Sequence, residues 1–364
     1  MTDPKTLLNL AEFETAAAAK LPRMVFDYYA GGAGDEVTLR TARAAWDALS
    51  IRYRVLRDVS KRSLATTVLG DALAFPLLVA PMAFQRLAHA EGELATARAA
   101  AAAGAGMILS TLATTSIEDV RKAAPGPLWF QLYIYRDRGA SRALVERAER
   151  AGCTALVLTV DSPLLGRRER DVRNAFHVSE DFTVPNLTGD PRAALAAADA
   201  HGSGSALAQF VETHWDAGIS WRDVEWLRSV TKLPVLVKGI VRGDDAKLAL
   251  EHGAAGVIVS NHGGRQLDTA VSSARALPEV ADAMAGRGAL LVDGGVRRGT
   301  DIVKALALGA SAVLLGRPVL WGLALGGADG VGRVLELLRA EFDLALALAG
   351  CCAPGDLTRD FVTT

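Results

Sequence analysis

The string Ser260-Asn261-His262-Gly263-Gly264-Arg265-Gln266-Leu267-Asp268 sets an imidazole three positions ahead of a guanidinium. Histidine titrates near neutrality and suits a general base. Arginine forks a carboxylate through two parallel hydrogen bonds. Together they suit proton removal from a small carboxylic acid, with Asp161, in Thr159-Val160-Asp161-Ser162-Pro163, as the carboxylate that orients the imidazole. Lys238 ends the apolar run Leu236-Val237, where its stem is buried and its ammonium requires a negative partner. A Schiff-base lysine, a counterion to an anionic cofactor and an ion pair with Asp293 are all open. Two further segments, Asp293-Gly294-Gly295-Val296-Arg297-Arg298-Gly299 and Gly316-Arg317-Pro318, join glycines that free backbone N–H groups to arginines that add charge. Such turns cradle phosphate and point to a nucleotide-type cofactor. The charged run 166–171 reads as solvated loop from which one arginine could turn inward as a second carboxylate clamp.

Short apolar runs at 77–80, 107–110, 128–132, 155–160, 234–238, 256–260, 289–292 and 312–315 place these residues at strand ends. Amphipathic stretches such as 140–152, 244–253 and 300–309, each closed by glycine, lie between them. Continuous apolar strands alternating with helices imply parallel strands buried on both faces, and eight units close most economically into an α/β fold, the (β/α)8 TIM barrel. A doubly wound open sheet is the structural alternative. In a barrel the chemistry sits just after each strand. That rule gathers Pro81 and Ala83, Ser110, Gln131 and Tyr133, Thr159 and Asp161, Lys238, Ser260, His262 and Arg265, Asp293 and Gly295, and Gly316 and Arg317 at one mouth.

The chain reads as one domain over 1–364, with a helical cap over 1–70, a barrel over 71–350 and a mobile loop or lid over 177–220 after the fourth strand. Tyr28 and Tyr29 of the cap could approach the mouth, and Gly31-Gly32-Ala33-Gly34 reads as a turn between helices, because no strand precedes it and G-x-G-x-x-G spacing is absent. With 40 Lys+Arg against 41 Asp+Glu, no global basic field exists to hold nucleic acid. Three cysteines, Cys153 and the adjacent Cys351 and Cys352, form neither a disulfide framework nor a zinc site. No histidine spacing suits a metal. The uncharged stretch 99–117 is too rich in Ala, Gly, Ser and Thr for a membrane span, and no signal-peptide pattern opens the chain, so a cytoplasmic location is expected.

With these residues in view, the sequence resembles the FMN-dependent L-2-hydroxy acid oxidases and dehydrogenases, the family of glycolate oxidase and lactate oxidase. The likeness runs from Phe26-Asp27-Tyr28-Tyr29 through Phe130-Gln131-Leu132-Tyr133, Gly166-Arg167-Arg168 and Val237-Lys238-Gly239 to the His262, Asp293 and Gly316 strings. It implies FMN over the barrel mouth, its phosphate on the Gly295/Arg297 and Gly316/Arg317 turns and its ring near Pro81, Ala83, Ser110, Gln131, Thr159 and Ser260, with Asp293 in the same site. It also implies Lys238 as the counterion of the reduced ring. By the same likeness Arg168, Arg265 and Tyr28 bind the substrate carboxylate, Tyr133 meets the substrate hydroxyl, and His262 paired with Asp161 is the base. Met82 and Leu112 form an apolar wall suited to a short alkyl group, and the 80–85 and 109–112 strings look most like bacterial lactate oxidases. The implied reaction is oxidation of an L-2-hydroxy acid, L-lactate favoured and mandelate or glycolate as alternatives. Molecular oxygen is the implied acceptor, giving hydrogen peroxide; a soluble dehydrogenase with another acceptor is the variant. A homo-oligomer, tetramer or octamer, is the expected assembly, without a membrane or nucleic-acid partner.

Overall fold

The computed structural model describes residues 2–178, 182–187 and 205–363. Eight parallel strands, β4 (Leu77–Val79), β5 (Gly106–Leu109), β6 (Leu128–Leu132), β7 (Ala155–Thr159), β8 (Val235–Ile240), β9 (Gly256–Val259), β10 (Ala289–Val292) and β11 (Ala312–Leu315), close into a barrel. Closure is made where Val313 of β11 pairs with Leu77 of β4. These are the eight expected runs, shifted by a residue or two at their ends, except that β8 continues past Lys238 to Ile240 through an irregularity at Gly239.

Side-chain alternation divides each strand between two cores. Leu78, Ile108, Trp129, Val157, Leu236, Ile258, Leu291 and Leu314 fill the barrel interior, whereas Val79, Leu109, Phe130, Leu158, Val237 and Val259 face the surrounding helices. Burial on both faces is why the strands lack polar alternation.

Before the barrel come α1 (Leu10–Lys20), α2 (Arg23–Ala30) and α3 (Val37–Asp47), with the 31–34 glycine turn joining the last two as expected. β1 (Ser50–Ile51) pairs with β12 (Val362–Thr363) near the other terminus. A hairpin of β2 (Thr66–Val68) and β3 (Asp71–Leu73) then sends Val68 and Leu73 into the barrel interior.

Helices α4 (Gly92–Ala103), α5 (Ile117–Ala123), α6 (Arg138–Arg150) and α7 (Glu169–Arg173) follow the first four barrel strands. The connection expected to be a loop over 177–220 carries structure in its second half. There α8 (Ala206–His214) is capped by Ser205, whose hydroxyl accepts from Ala208 N at 3.3 Å. Positions 179–181 and 188–204 of that connection lie outside the described residues. α9 (Trp221–Val230), α10 (Gly243–Glu251), α11 (Ser273–Met284), α12 (Gly299–Ala307) and α13 (Arg317–Leu348) complete the shell, α13 bending at Gly326 and Gly327.

Candidate active site

His262 follows β9 with φ of 58°, a left-handed backbone that a side chain other than glycine adopts at a cost. Its loop holds it there. Ser260 Oγ accepts His262 N at 3.1 Å, and Asn261 Oδ1 accepts Gly264 N at 3.3 Å. The imidazole meets Asp161, at the end of β7, through Nδ1 and Oδ1 at 2.8 Å, which leaves Nε2 for the cleft. Gly239 makes room for this pair: at φ of 116°, a Cβ there would lie 2.7 Å from Asp161 Cβ.

Burial pushes the His262 imidazole below its ordinary value, with Lys238 and Arg168 adding to that against the pull of Asp161. Burial works to raise the Asp161 carboxyl, but His262, Lys238 and Ser162 outweigh it and hold it below the usual carboxylate range. Near pH 7 the site therefore has a neutral imidazole held by a carboxylate, the state a general base requires. Lys238 donates to Ser260 Oγ at 2.9 Å and pairs with Asp293 Oδ2 at 3.2 Å. Despite its burial, the carboxylates of Asp293 and Asp161 raise its pKa. The expected ion pair with Asp293 exists, and the ammonium also lines the cleft.

Four arginines bring positive charge to the mouth with little to neutralise it. Arg168 is 5% exposed, and its nearest carboxylate is Asp171 at 4.0 Å. Among the described residues no acidic side chain pairs with Arg265, Arg297 or Arg317. Burial, reinforced by Arg265, pushes Arg168 down to about 10, and burial with Arg265 and Arg297 pushes Arg317 down to about 9. What holds two of them is backbone: Arg265 donates to the carbonyls of Tyr28, Tyr29 and Gly31, and Arg317 to Tyr29 O at 2.9 Å and Gly31 O at 3.0 Å. These carbonyls end α2, where the helix dipole is negative. Buried cations fixed by neutral acceptors are anion sites. Of the charged run 166–171, Arg168 turns inward, Arg167 is exposed, and Arg170 binds Glu36 and Asp27.

One cleft of about 1100 Å³, counted to its open mouth, joins these groups. Pro81, Met82, Ala83, Ser110, Leu112, Gln131, Tyr133, Thr159, Lys238, Arg168, Arg265, Asp293, Gly295, Arg297, Gly316, Arg317 and Tyr28 all line it, as does His262. Asp161 and Ser260 stand behind it, supporting His262 and Lys238. An FMN-type group fits these residues: Gln131 Nε2 and Asp293 Oδ1 are buried without hydrogen-bond partners, ready for a heteroaromatic edge, and Arg297 and Arg317 suit a phosphate.

Tyr133 stacks on Trp215 with ring centroids 3.7 Å apart and planes 18° from parallel. Trp215, Leu207 and Leu165 line the cleft and were not among the expected pocket residues. Nothing in local sequence marks Trp215. It arrives because the segment after α8 pairs with the residues just beyond the third barrel strand, through the Tyr135–Trp215 bridge and Asp216 N to Ile134 O at 2.9 Å.

A parallel barrel whose mouth gathers a hydrogen-bonded His–Asp pair, buried arginines short of carboxylates and unpartnered polar atoms has the parts of a cofactor-dependent enzyme. Known proteins agree. The family model described as FMN-dependent dehydrogenase matches residues 17–364. An L-lactate oxidase of Nostoc sp. is 52% identical over 366 residues, covering 100% of both chains. Glycolate oxidase 5 of Oryza sativa subsp. japonica is 50% identical, covering 98% of this chain and 96% of its own. A crystal structure of mandelate oxidase with (S)-4-hydroxymandelic acid superposes with a TM-score of 0.94 at 45% identity, covering 98% of each chain. The chain belongs to the FMN-dependent dehydrogenase family, and its cofactor is FMN.

Proposed function

We propose that this enzyme oxidises a short-chain L-2-hydroxy acid, L-lactate first, by R–CH(OH)–COO⁻ + O₂ → R–CO–COO⁻ + H₂O₂. The observation that carries this reading is the His262–Asp161 pair at 2.8 Å in the same cleft as two cations, Arg168 and Arg265, that lack close carboxylate partners. Bound FMN supplies the acceptor for the two electrons the substrate loses and passes them to oxygen. His262 Nε2 takes one of the two protons, and Asp161 keeps the imidazole oriented and stabilises its cation. Arg168 and Arg265 fork the carboxylate with help from Tyr28, and Tyr133 meets the hydroxyl. Pro81, Ala83, Ser110, Gln131, Thr159 and Asp293 surround the ring, Ser260 steadies Lys238, and Gly295, Arg297, Gly316 and Arg317 take the phosphate.

Met82, Leu112, Leu165 and Leu207 give a methyl group apolar surface to cover, which favours lactate over glycolate by about 0.8 kcal/mol. An aromatic 2-hydroxy acid is the second reading, favoured by the Tyr133–Trp215 stack, which lines the same cleft. Association into a tetramer or octamer is supported by exposed Tyr53, Val55, Leu56, Leu344 and Leu348, since Arg54 N bonds Ala349 O and brings the two groups together. Three free cysteines support a reducing, cytoplasmic location, and no helix among the described residues is long and apolar enough to cross a membrane.

Anaerobic addition of L-lactate, glycolate and L-mandelate to the flavin-loaded protein, followed by air, tests all of this. Bleaching of the flavin band by L-lactate and its return with stoichiometric peroxide is expected. Bleaching without prompt return would replace oxygen by another acceptor, and indifference to all three acids would overturn the reading.

A further inference from the structure

Helix α3 lies outside the barrel and contributes no residue to the cleft lining, yet both its ends are fastened to loops that do. At its N-terminus the Asp268 carboxylate accepts Val37 N at 3.2 Å and Thr38 N at 2.8 Å. Asp268 belongs to the same loop as His262 and Arg265. At the other end, Trp46 Nε1 donates to Gly294 O at 2.8 Å, and Arg43 Nη1 donates to Gly295 O at 3.1 Å. The Arg43 guanidinium also pairs with Asp301 through both nitrogens, Nη2 lying 2.8 Å from Oδ1.

Asp301 is fully buried, and its Oδ2 accepts two more hydrogen bonds, from Arg297 N at 2.8 Å and Arg298 N at 2.9 Å. Its carboxylate therefore shapes the backbone of the 294–297 turn from behind. The turn rests directly on α3: at Gly295, with φ of 82°, a Cβ would sit 2.5 Å from Ala42 O and 2.9 Å from Trp46 Cδ1. Arg43 has a second effect. Unpaired, Asp301 would be a buried negative charge directly behind the place where an anion is to bind, and repulsion there weakens anion binding.

We propose that α3 is a positioning strut for the cofactor's phosphate: Arg43 acting through Asp301, and Trp46 acting through Gly294, hold the 294–297 turn in its anion-binding form. The proposal rests on the reading that the FMN phosphate occupies the Arg297 and Arg317 turns. Neither Arg43 nor Trp46 need touch FMN for its affinity to depend on them. Riboflavin, which lacks the phosphate, is the natural control.

The test uses the full chain stripped of flavin, titrated with FMN and with riboflavin while flavin fluorescence is followed, for the parent and for Arg43→Gln, Trp46→Phe and Arg297→Ala. Arg43→Gln is expected to weaken FMN by roughly 10- to 100-fold, as loss of a charge-assisted pair does. Trp46→Phe, which keeps an aromatic ring but removes the N–H with part of the buried indole, should weaken it about fivefold. Riboflavin affinity should stay at the parent value in both. Equal losses for the two flavins would mean general loosening and overturn the strut. So would parent-like FMN affinity in Arg43→Gln and Trp46→Phe while Arg297→Ala loses it. Should Arg297→Ala bind FMN as tightly as the parent, the phosphate reading falls and the strut falls with it. If Arg43→Gln does not fold, Trp46→Phe decides alone.

Discussion

At the end of the barrel where the strands begin, the β2–β3 hairpin closes the interior, and Asp71 accepts hydrogen bonds from Trp129 Nε1 at 2.7 Å and Thr154 Oγ1 at 2.6 Å. Val68 and Leu73 complete an apolar plug with Leu78, Ile108 and Trp129. At the end where the strands finish, the same barrel holds His262 at φ of 58°, four arginines short of anions, and buried polar atoms of Gln131, Asp161 and Asp293 without partners. One end satisfies its groups. The other leaves them ready for ligands the protein must bind, at a cost in stability that the closed end and the helical shell offset. Stability and chemistry are thus separated by the length of a strand, which makes their separation open to experiment.

The largest expected effect lies at the open end. On the proposed mechanism His262→Gln removes the acceptor for the substrate's proton, and anaerobic flavin reduction by substrate should slow by about 10²- to 10⁴-fold. FMN should still bind, because Lys238, Arg297 and Arg317 are left in place. Reduction near the parental rate would break the assignment of the base. Asp71→Ala at the closed end should do the converse: the buried Trp129 N–H loses its acceptor, costing about 1–3 kcal/mol in urea unfolding, with kcat/KM unchanged. A comparable fall in kcat/KM would show that the two ends are coupled.

How far the sequence reveals this division differs between the two ends as well. All eight barrel strands are legible, because strands buried on both faces are apolar without interruption, and the residues after them follow from barrel geometry. Lys238, His262, Arg265, Arg297 and Arg317 were readable for that reason. Trp215 was not, since it reaches the cleft by pairing of its backbone with residues just beyond a distant strand. Nor was the role of Arg43, Trp46 and Asp301 visible: their hydrogen bonds run between a helix and a turn some 250 positions apart, as Arg43 to Gly295 shows. The plug is equally silent, because short hairpin strands of three residues each carry too little periodicity to mark them.

Protonation offers a smaller and sharper contrast. In the folded enzyme the His262 pKa lies below the 6.5 of a free imidazole, with burial as the main cause. On the proposed mechanism the neutral form is the base, so kcat/KM should be level from pH 7 to 8 and fall as pH drops below 6.5 through the folded value. The sign for stability is the same. A depressed histidine contributes stability that is present above its unfolded pKa and lost as pH falls below it, so unfolding free energy should decline over the same acid range. In His262→Gln that share of the decline should vanish. An acid limb lying above 6.5 would contradict the burial argument.

The smallest effect tests the wall of the open end. Leu112 is 5% exposed and lines the cleft beside Met82, so Leu112→Ala withdraws apolar surface from the substrate's alkyl group while leaving the base and the arginines in place. If a methyl group gains about 0.8 kcal/mol there, the ratio of kcat/KM for lactate over glycolate should fall by no more than about fourfold, and longer 2-hydroxy acids should gain from the added space. The closed end provides the control: Asp71→Ala should leave that ratio at the parent value even though it lowers stability. A ratio unmoved by Leu112→Ala would place the substrate's side chain elsewhere in the cleft, against Trp215 and Tyr133, and would favour the aromatic acids.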